Sequence, residues 1–379
     1  MTATTDTTIR PFTIDIPQER LDDLRTRLAQ TRLPDIAPGI TDAYGVPDAW
    51  VRDLLDRWQH GFDWREWEAK LNAYPQFMTE IDGQPVHFFH IRSQEPNAMP
   101  LVLLHGWPGG VIEFLELIGP LTDPVAHGGK AEDAFHLVIP AGPGYGFSSP
   151  LASASRTTTA SAARNAAELM RRLGYERYGA QGGDWGAFVA PELGRSDAQH
   201  VIGVHVNAAS FGFIPLGELS EEEQAELTQA EKVRYARLRN WEDNLSGYFK
   251  IQSTRPQTLA YAMTDSPVGL AAWIGDWFRD RTIETDRVLA NITIYWLTNT
   301  FASSILGYYE NLHSGNWPAF STTPTGVANF GDDIAIRKYA EQLNTIVHWS
   351  EFDEGNHFAA MSAPELLTQD VREFFGALR

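Results

Sequence analysis

The sequence predicts an α/β fold, a buried and mostly parallel sheet wound with helices on both faces and interrupted late in the chain by a helical insertion. Three observations carry that prediction. Short apolar runs at 101–104, 136–140 and 201–206 alternate with segments of helical spacing, the pattern of strands buried on both faces of a doubly wound sheet. Gly182-Gly183-Asp184-Trp185-Gly186 reads as an abrupt strand-to-helix elbow that lifts Asp184 out of the sheet, with small residues wherever the backbone must turn sharply. After Asn207 the strand patterns stop, and they resume only at 345–349.

Taken in order, residues 17–32 place Leu21, Leu24 and Leu28 at helical spacing behind Pro17, with Pro34 to stop the helix. Asp48 is placed to cap a second helix whose apolar stripe is Val51, Leu54, Leu55 and Trp58, closed by Gly61. The aromatic load here (Trp50, Trp58, Trp64, Trp67) reads as packing surface, given the area each indole buries. Residues 1–75 therefore form an N-terminal helical arm. A β-hairpin follows, 77–81 and 86–91 joined at Asp82-Gly83. The strand at 101–104 runs into His105-Gly106-Trp107-Pro108-Gly109-Gly110 and a helix over 111–117. The strand at 136–140 enters Gly142-Pro143-Gly144-Tyr145-Gly146. This is no dinucleotide loop, because Pro143 stands inside it and no acidic partner follows at the expected place. A helix at 160–173, the elbow and the strand at 201–206 complete the first part of the core, 76–210. Residues 211–320 read as a mainly helical cap, and 321–379 as the second part of the core, with a strand at 345–349, a loop holding His357 and a helix over 364–378. Open α/β sheets bind ligands outside the carboxyl ends of their strands, so a cap inserted there roofs the site and controls water.

Composition narrows the chemistry. At 379 residues and 43% hydrophobic, the chain has material for a sizeable core. Forty-nine acidic residues against 30 Lys plus Arg give a net charge of −19, which repels phosphate backbones and anionic membranes, so no nucleic-acid or membrane partner is expected. The absence of cysteine removes disulfides, thiolate catalysis and cysteine metal sites. The first ten residues are Thr-rich without an apolar core, and no apolar stretch is long enough to span a bilayer, so the expected location is cytoplasmic.

Three elements fall in the order nucleophile, acid, histidine: Asp184, then Asp332-Asp333 before the last strand, then His357 after it. That order belongs to α/β-hydrolases. Asp184 could instead cap the following helix, since Asp is a favoured N-cap, but a cap needs no glycines around it. A lone His in a loop is usually structural; this one lies where the general base of the architecture belongs.

His105-Gly106-Trp107-Pro108-Gly109, Gly183-Asp184-Trp185-Gly186, Gly247-Tyr248 with the run Ile251 to Thr258, the run Asp265 to Ala272, and the run Gly355 to Ala360 together resemble the microsomal-type epoxide hydrolases. The likeness covers nearly the whole chain, N-terminal arm included, and implies an α/β-hydrolase fold with an inserted cap. It also implies roles. Asp184 attacks an epoxide carbon to give an alkyl ester, and needs no base because a carboxyl is ionised near neutral pH. Tyr248 and Tyr308 of the cap donate hydrogen bonds to the ring oxygen, Tyr309 being the alternative to Tyr308. A water activated by His357 hydrolyses the ester, with the N–H groups of Trp107 and Trp185 holding the oxyanion. The family's Phe-Pro-x-acid pattern stands here as Phe330-Gly331-Asp332-Asp333; counting selects Asp333, and the missing proline leaves Asp332 as a rival. The scheme requires no metal or organic cofactor, and its partner is a small-molecule epoxide; homo-oligomerisation is left open.

Two other functions compete. A haloalkane or haloacid dehalogenase shares the Asp nucleophile and the His, but it stabilises halide and does not need paired cap tyrosines. A non-catalytic binding protein on the same scaffold is the other, because fold alone does not establish activity.

Overall fold

A nine-stranded mixed sheet runs through the computed structural model, which describes residues 7–279 and 281–379. Its strands are β1 (Arg10–Phe12), β2 (Gln76–Ile81), β3 (Gln84–Ile91), β4 (Met99–Leu104), β5 (Phe135–Pro140), β6 (Tyr178–Gly183), β7 (Val201–Asn207), β8 (Ser321–Asn329) and β9 (Asn344–Glu351). They lie in the order β1-β2-β3-β5-β4-β6-β7-β8-β9. The first four in that order pair antiparallel, and from β5 to β9 all pairs are parallel. The β2–β3 turn falls on Asp82 and Gly83, both left-handed (φ 50° and 78°), which is why an Asp-Gly pair occupies it.

Continuous apolar strands still alternate between faces. Leu101 and Leu103 of β4 join Leu137, Ile139 and Phe375 in one core layer, while Val102 and Leu104 join Val138, Ala180 and Val204 in the other. Helices α1 (Gln18–Ala29), α2 (Asp48–His60) and α3 (Trp64–Asn72) make the N-terminal arm, α4 (Leu115–Thr122) follows a 3₁₀ turn at Val111–Phe114, and α5 (Thr159–Arg172) and α6 (Gly186–Ser196) pack on the sheet. The chain then leaves the sheet after β7 and returns at β8. Between them lie helices from Glu221–Glu226 to Leu306–His313, and the helix Pro364–Gly376 ends the fold.

The arm packs against this helical cap. Leu24, Leu28, Val51, Leu54 and Trp58 share one apolar layer with Leu270, Ile274, Val288 and Leu289, and Trp58 Nε1 donates to Thr293 Oγ1 at 2.9 Å. Each buried aliphatic there contributes about 1.5–3 kcal/mol, so the N-terminal helices stabilise the helices between β7 and β8.

Four details differ from the sequence reading. Pro47 occupies the cap position of α2; Asp48 is instead the first helical residue and pairs with Arg52 at 2.7 Å. The arm is not purely helical, because β1 adds three residues to the sheet edge, too few to show a period. Helix α3 escaped notice although Asp63 caps it by accepting from the Arg65 N–H. Strand β8, with sequence Ser-Thr-Thr-Pro-Thr-Gly-Val-Ala-Asn, carries too few large apolar residues to read as a buried strand, although its second half is fully buried.

Candidate active site

Asp184 sits at the junction of β6 and α6 in the left-handed region, φ 54°, an uncommon conformation for a residue with a side chain. Gly186 makes the junction possible: a Cβ there would collide with the Leu104 carbonyl of β4. Asp184 Oδ1 accepts two backbone hydrogen bonds, from Trp107 N at 2.9 Å and Trp185 N at 2.7 Å. The loop carrying Trp107 has a cis Trp107–Pro108 peptide and is held from the cap, where Asn291 Nδ2 donates to the Pro108 carbonyl (2.6 Å) and Tyr295 Oη to that of Gly109 (2.8 Å). His105 ties this loop to the next one. Its Nε2 accepts from Gly142 N at 3.0 Å, which leaves Nδ1–H to donate to the Gly106 carbonyl, also at 3.0 Å.

His357 reaches the same carboxylate from the loop after β9. Its Nε2 lies 3.3 Å from Asp184 Oδ2 without completing a hydrogen bond, and its ring rests against Trp277 and Phe358 at 5.2 and 4.9 Å. The two rival acids diverge. Asp333 is buried, and its Oδ2 accepts from Phe330 N (2.9 Å) and from Ala208 N (3.3 Å), the latter at a residue itself strained to φ 48°. Burial, then the Asp332 charge, push the Asp333 carboxyl up to about 6, against the pull of the Phe330 N–H and the His357 charge. Asp332 turns outward to Arg281, 3.1 Å away.

Above the carboxylate stand two phenols. Tyr248 stacks on Trp107, and Tyr308 meets the edges of both Trp107 and Trp185, at 5.9 and 5.0 Å; the two phenol rings lie 6.1 Å apart. Burial raises both well above the usual phenol value, and the Asp184 charge adds to the effect, so both hold their protons. Tyr309 is 39% exposed and stacks on His313, turned away from the site.

The sequence reading passed over Glu113, whose carboxyl joins Asp184 and His357 in lining a cavity of about 10 Å³. Burial and the Asp184 charge push it up to about 8, opposed by the Gly110 N–H. Its signal was the reach from Gly110 to an acid three residues on, a capping-box spacing at the start of the 3₁₀ turn. Among the described residues no cluster of three or more His, Asp and Glu could hold a metal, and no helix is long and apolar enough to cross a membrane.

Comparison with known proteins agrees with this geometry. Residues 9–114 match the family described as "Epoxide hydrolase N terminus", and residues 99–355 match "alpha/beta hydrolase fold". A putative epoxide hydrolase of Stigmatella aurantiaca is 43% identical, over 98% of this chain and 86% of that protein. Epoxide hydrolase 1 of Sus scrofa is 36% identical, over 99% and 90%. The structure of Aspergillus niger epoxide hydrolase superposes with a TM-score of 0.87 at 32% identity, covering 100% of this chain and 98% of that one. An elbow aspartate, two roofing tyrosines and a matching N-terminal region thus converge with full-length likeness, and the chain belongs to the epoxide hydrolase family, with an α/β-hydrolase fold.

Proposed function

We propose that the chain converts a small-molecule epoxide to a vicinal diol through a covalent ester on Asp184. The observation that carries this reading is the division of labour between the two oxygens of one carboxylate. Oδ1 is held by the Trp107 and Trp185 N–H groups, so Oδ2 is left to attack. As the new C–O bond forms, the ring C–O bond breaks, and Tyr248 and Tyr308 donate to the oxygen that gains charge. Water then attacks the ester carbon and passes a proton to His357, while Asp333 stabilises the imidazolium. The former Oδ1 becomes the oxyanion between the two N–H groups; on its collapse the bond from the Asp184 carbon to Oδ2 breaks, His357 returns its proton to the departing alkoxide, the water's other proton goes to the oxygen freed by ring opening, and the diol leaves with Asp184 and His357 restored. Asp332, engaged by Arg281, has no part in these steps. In this reading residues 211–320 act as the cap over a core formed by 76–210 and 321–379, with 1–75 as the arm.

Intact-protein mass spectrometry separates the half-reactions. His357→Gln should gain one substrate mass, mapped to the peptide holding Asp184, and Asp184→Asn should gain none. An unmodified but folded and substrate-binding His357→Gln, with the wild type active on the same epoxide, would replace the covalent scheme by direct attack of water.

A further inference from the structure

We propose that Arg281 positions the acid–base pair of His357 and Asp333 for ester hydrolysis, by bearing on the two rings that hold the imidazole and by pairing the neighbouring carboxylate, Asp332. This rests on the aspartyl-ester reading and extends it to a residue outside the nucleophile, base and acid.

Arg281 lies in the connection between the helices Pro267–Gly275 and Thr285–Thr298, and its flat guanidinium spreads over two rings, Trp277 at 5.3 Å and Phe358 at 5.6 Å. These are the rings on which His357 rests, at 5.2 and 4.9 Å. The same place is fixed twice more, because Nη1 donates to the Trp277 carbonyl and Phe278 stacks on Phe358 at 4.4 Å. Nη2 then donates to Asp332 Oδ2 at 3.1 Å. An ion pair between two freely moving surface side chains contributes little. Here the guanidinium is held flat against the rings and is only 20% exposed, so the pair ties the turn carrying Asp332 and Asp333 to the rings that carry His357.

Tyr248 also meets Trp277, edge-on at 4.9 Å, but it has further supports in Trp107, Trp241 and Phe249. His357 is less well supported. Among the described residues its ring contacts are with Trp277 and Phe358, both under Arg281, so loosening Arg281 falls on hydrolysis more than on ring opening.

Charge acts in the same sense. The titratable and charged groups around Arg281 are Asp332 and Asp333 of the turn after β8, Tyr248 of the helix Gly247–Thr254, His357 with the exposed Asp353 and Glu354 of the loop after β9, and the Asp276–Arg279 pair of its own connection. After burial, the Asp332 charge is what raises the Asp333 carboxyl. Arg281 offsets that charge, and without it Asp333 would ionise against a neighbour that has lost its cation.

Single-turnover quench kinetics from pH 5 to 9, with ester captured as an added mass, reads both half-reactions. Arg281→Met should slow the hydrolytic plateau above pH 8 about tenfold and leave ester formation within about threefold. It should also move the acid limb of hydrolysis from near pH 6 upward by about one pH unit. Arg281→Lys keeps a charge for Asp332 but not the flat head over the rings, so its limb should stay near pH 6 while its plateau recovers only in part. Arg281→Met/Asp332→Asn removes the charge left behind, and should return the limb to pH 6 or below with the plateau still low. If Arg281→Met slows both half-reactions alike, or leaves the limb near pH 6, Arg281 merely braces the fold and the proposal is overturned. Thermal melting shows which variants are folded at the assay temperature; should Arg281→Met not be, a wild-type plateau in Arg281→Lys overturns the proposal in its place. Absence of ester in the wild type and in every variant would remove the aspartyl-ester reading and the proposal with it, whereas unaltered kinetics in variants that do form ester strike the proposal alone.

Discussion

Trp107 and Tyr248 stack almost parallel, ring centroids 5.7 Å apart and planes 7° from one another. The backbone of Trp107 holds Asp184 Oδ1 while its indole supports a phenol of the cap, and Trp185 does the same for Tyr308, at 2.7 Å through its N–H and edge-on at 5.0 Å through its ring. One pair of residues therefore touches both the Asp184 carboxylate and the two phenols, and in the proposed reaction it sets the oxyanion pocket and the placing of the phenols together. Core and cap are registered to each other at the reacting atoms.

This arrangement allows the Tyr248 hydroxyl to be removed without disturbing the stack. Tyr248→Phe should slow ester formation on the order of 100-fold, the scale of one donor aimed at developing charge, with the hydrolytic step little changed. Tyr248→Leu removes the ring as well, and should lower the unfolding temperature in addition. Stopped-flow tryptophan fluorescence or quench-flow resolves the two steps. A Tyr248→Phe defect confined to hydrolysis would contradict the assignment.

The two adjacent aspartates give a paired prediction. Asp333 is held up to about 6 by burial and by the Asp332 charge, so the acid limb of the hydrolytic pH profile should fall near pH 6. Asp332→Asn removes the second cause and should move that limb to lower pH with modest loss of rate. Asp333→Asn should cost on the order of 10³-fold, because the imidazolium loses its counter-charge. The stability sign follows from linkage. A carboxyl raised above its unfolded value of 3.8 stabilises the native state below that pH and loses the contribution as pH rises through about 6. At pH 7.5 the ionised form is thus a native-state cost of roughly 1–3 kcal/mol, which Asp333→Asn relieves. The inactive variant should melt higher than the wild type at pH 7.5 and level with it near pH 4. Calorimetry at the two pH values checks this.

The elbow, the hairpin and the late histidine loop were legible because each rests on local chemistry: glycines where the backbone turns, Asp-Gly in a left-handed turn, alternation of apolar residues. What was hidden depends on distant chain. Counting from Phe330 favours Asp333 in sequence, but the missing proline leaves Asp332 a rival, and it is the Ala208 N–H just after β7 and Arg281 that set the two side chains apart. Tyr308 and Tyr309 are likewise neighbours whose facing is fixed by helix packing. Strand β8 is Thr-rich and interrupted by Pro324 and Gly326, and it becomes a strand through pairing with β7 and β9 on either side. Glu113 was passed over because its capping-box spacing from Gly110 does not show that its carboxyl is buried beside Asp184.

A second buried charge cluster, apart from the residues assigned to catalysis, tests how the terminal helix is held. Asp370 on Pro364–Gly376 is buried against the sheet, with Oδ2 2.7 Å from His205 Nε2 of β7 and Oδ1 2.9 Å from His348 Nε2 of β9, and the Ser350 hydroxyl also donates to it. Burial alone would raise its carboxyl, but the hydrogen bonds from His205, His348 and Ser350 outweigh burial and hold it below its usual value. The Asp370 hydrogen bond, in turn, raises His348. The lowered acid contributes stability above its unfolded value of about 3.8 and loses it as pH falls further; the raised histidine contributes below about 6.5 and loses it as pH rises through its folded value. Both contributions are complete only between those limits. Asp370→Asn should therefore destabilise by about 3 kcal/mol near pH 5.5, as expected for breaking a buried pair, and by less on either side of that window. Turnover per folded molecule should not change, since Asp370 touches none of the reacting groups. Chemical denaturation of both proteins from pH 4 to 9 measures the difference directly, and a difference independent of pH would mean that packing, not the charge pair, fastens the helix to the sheet.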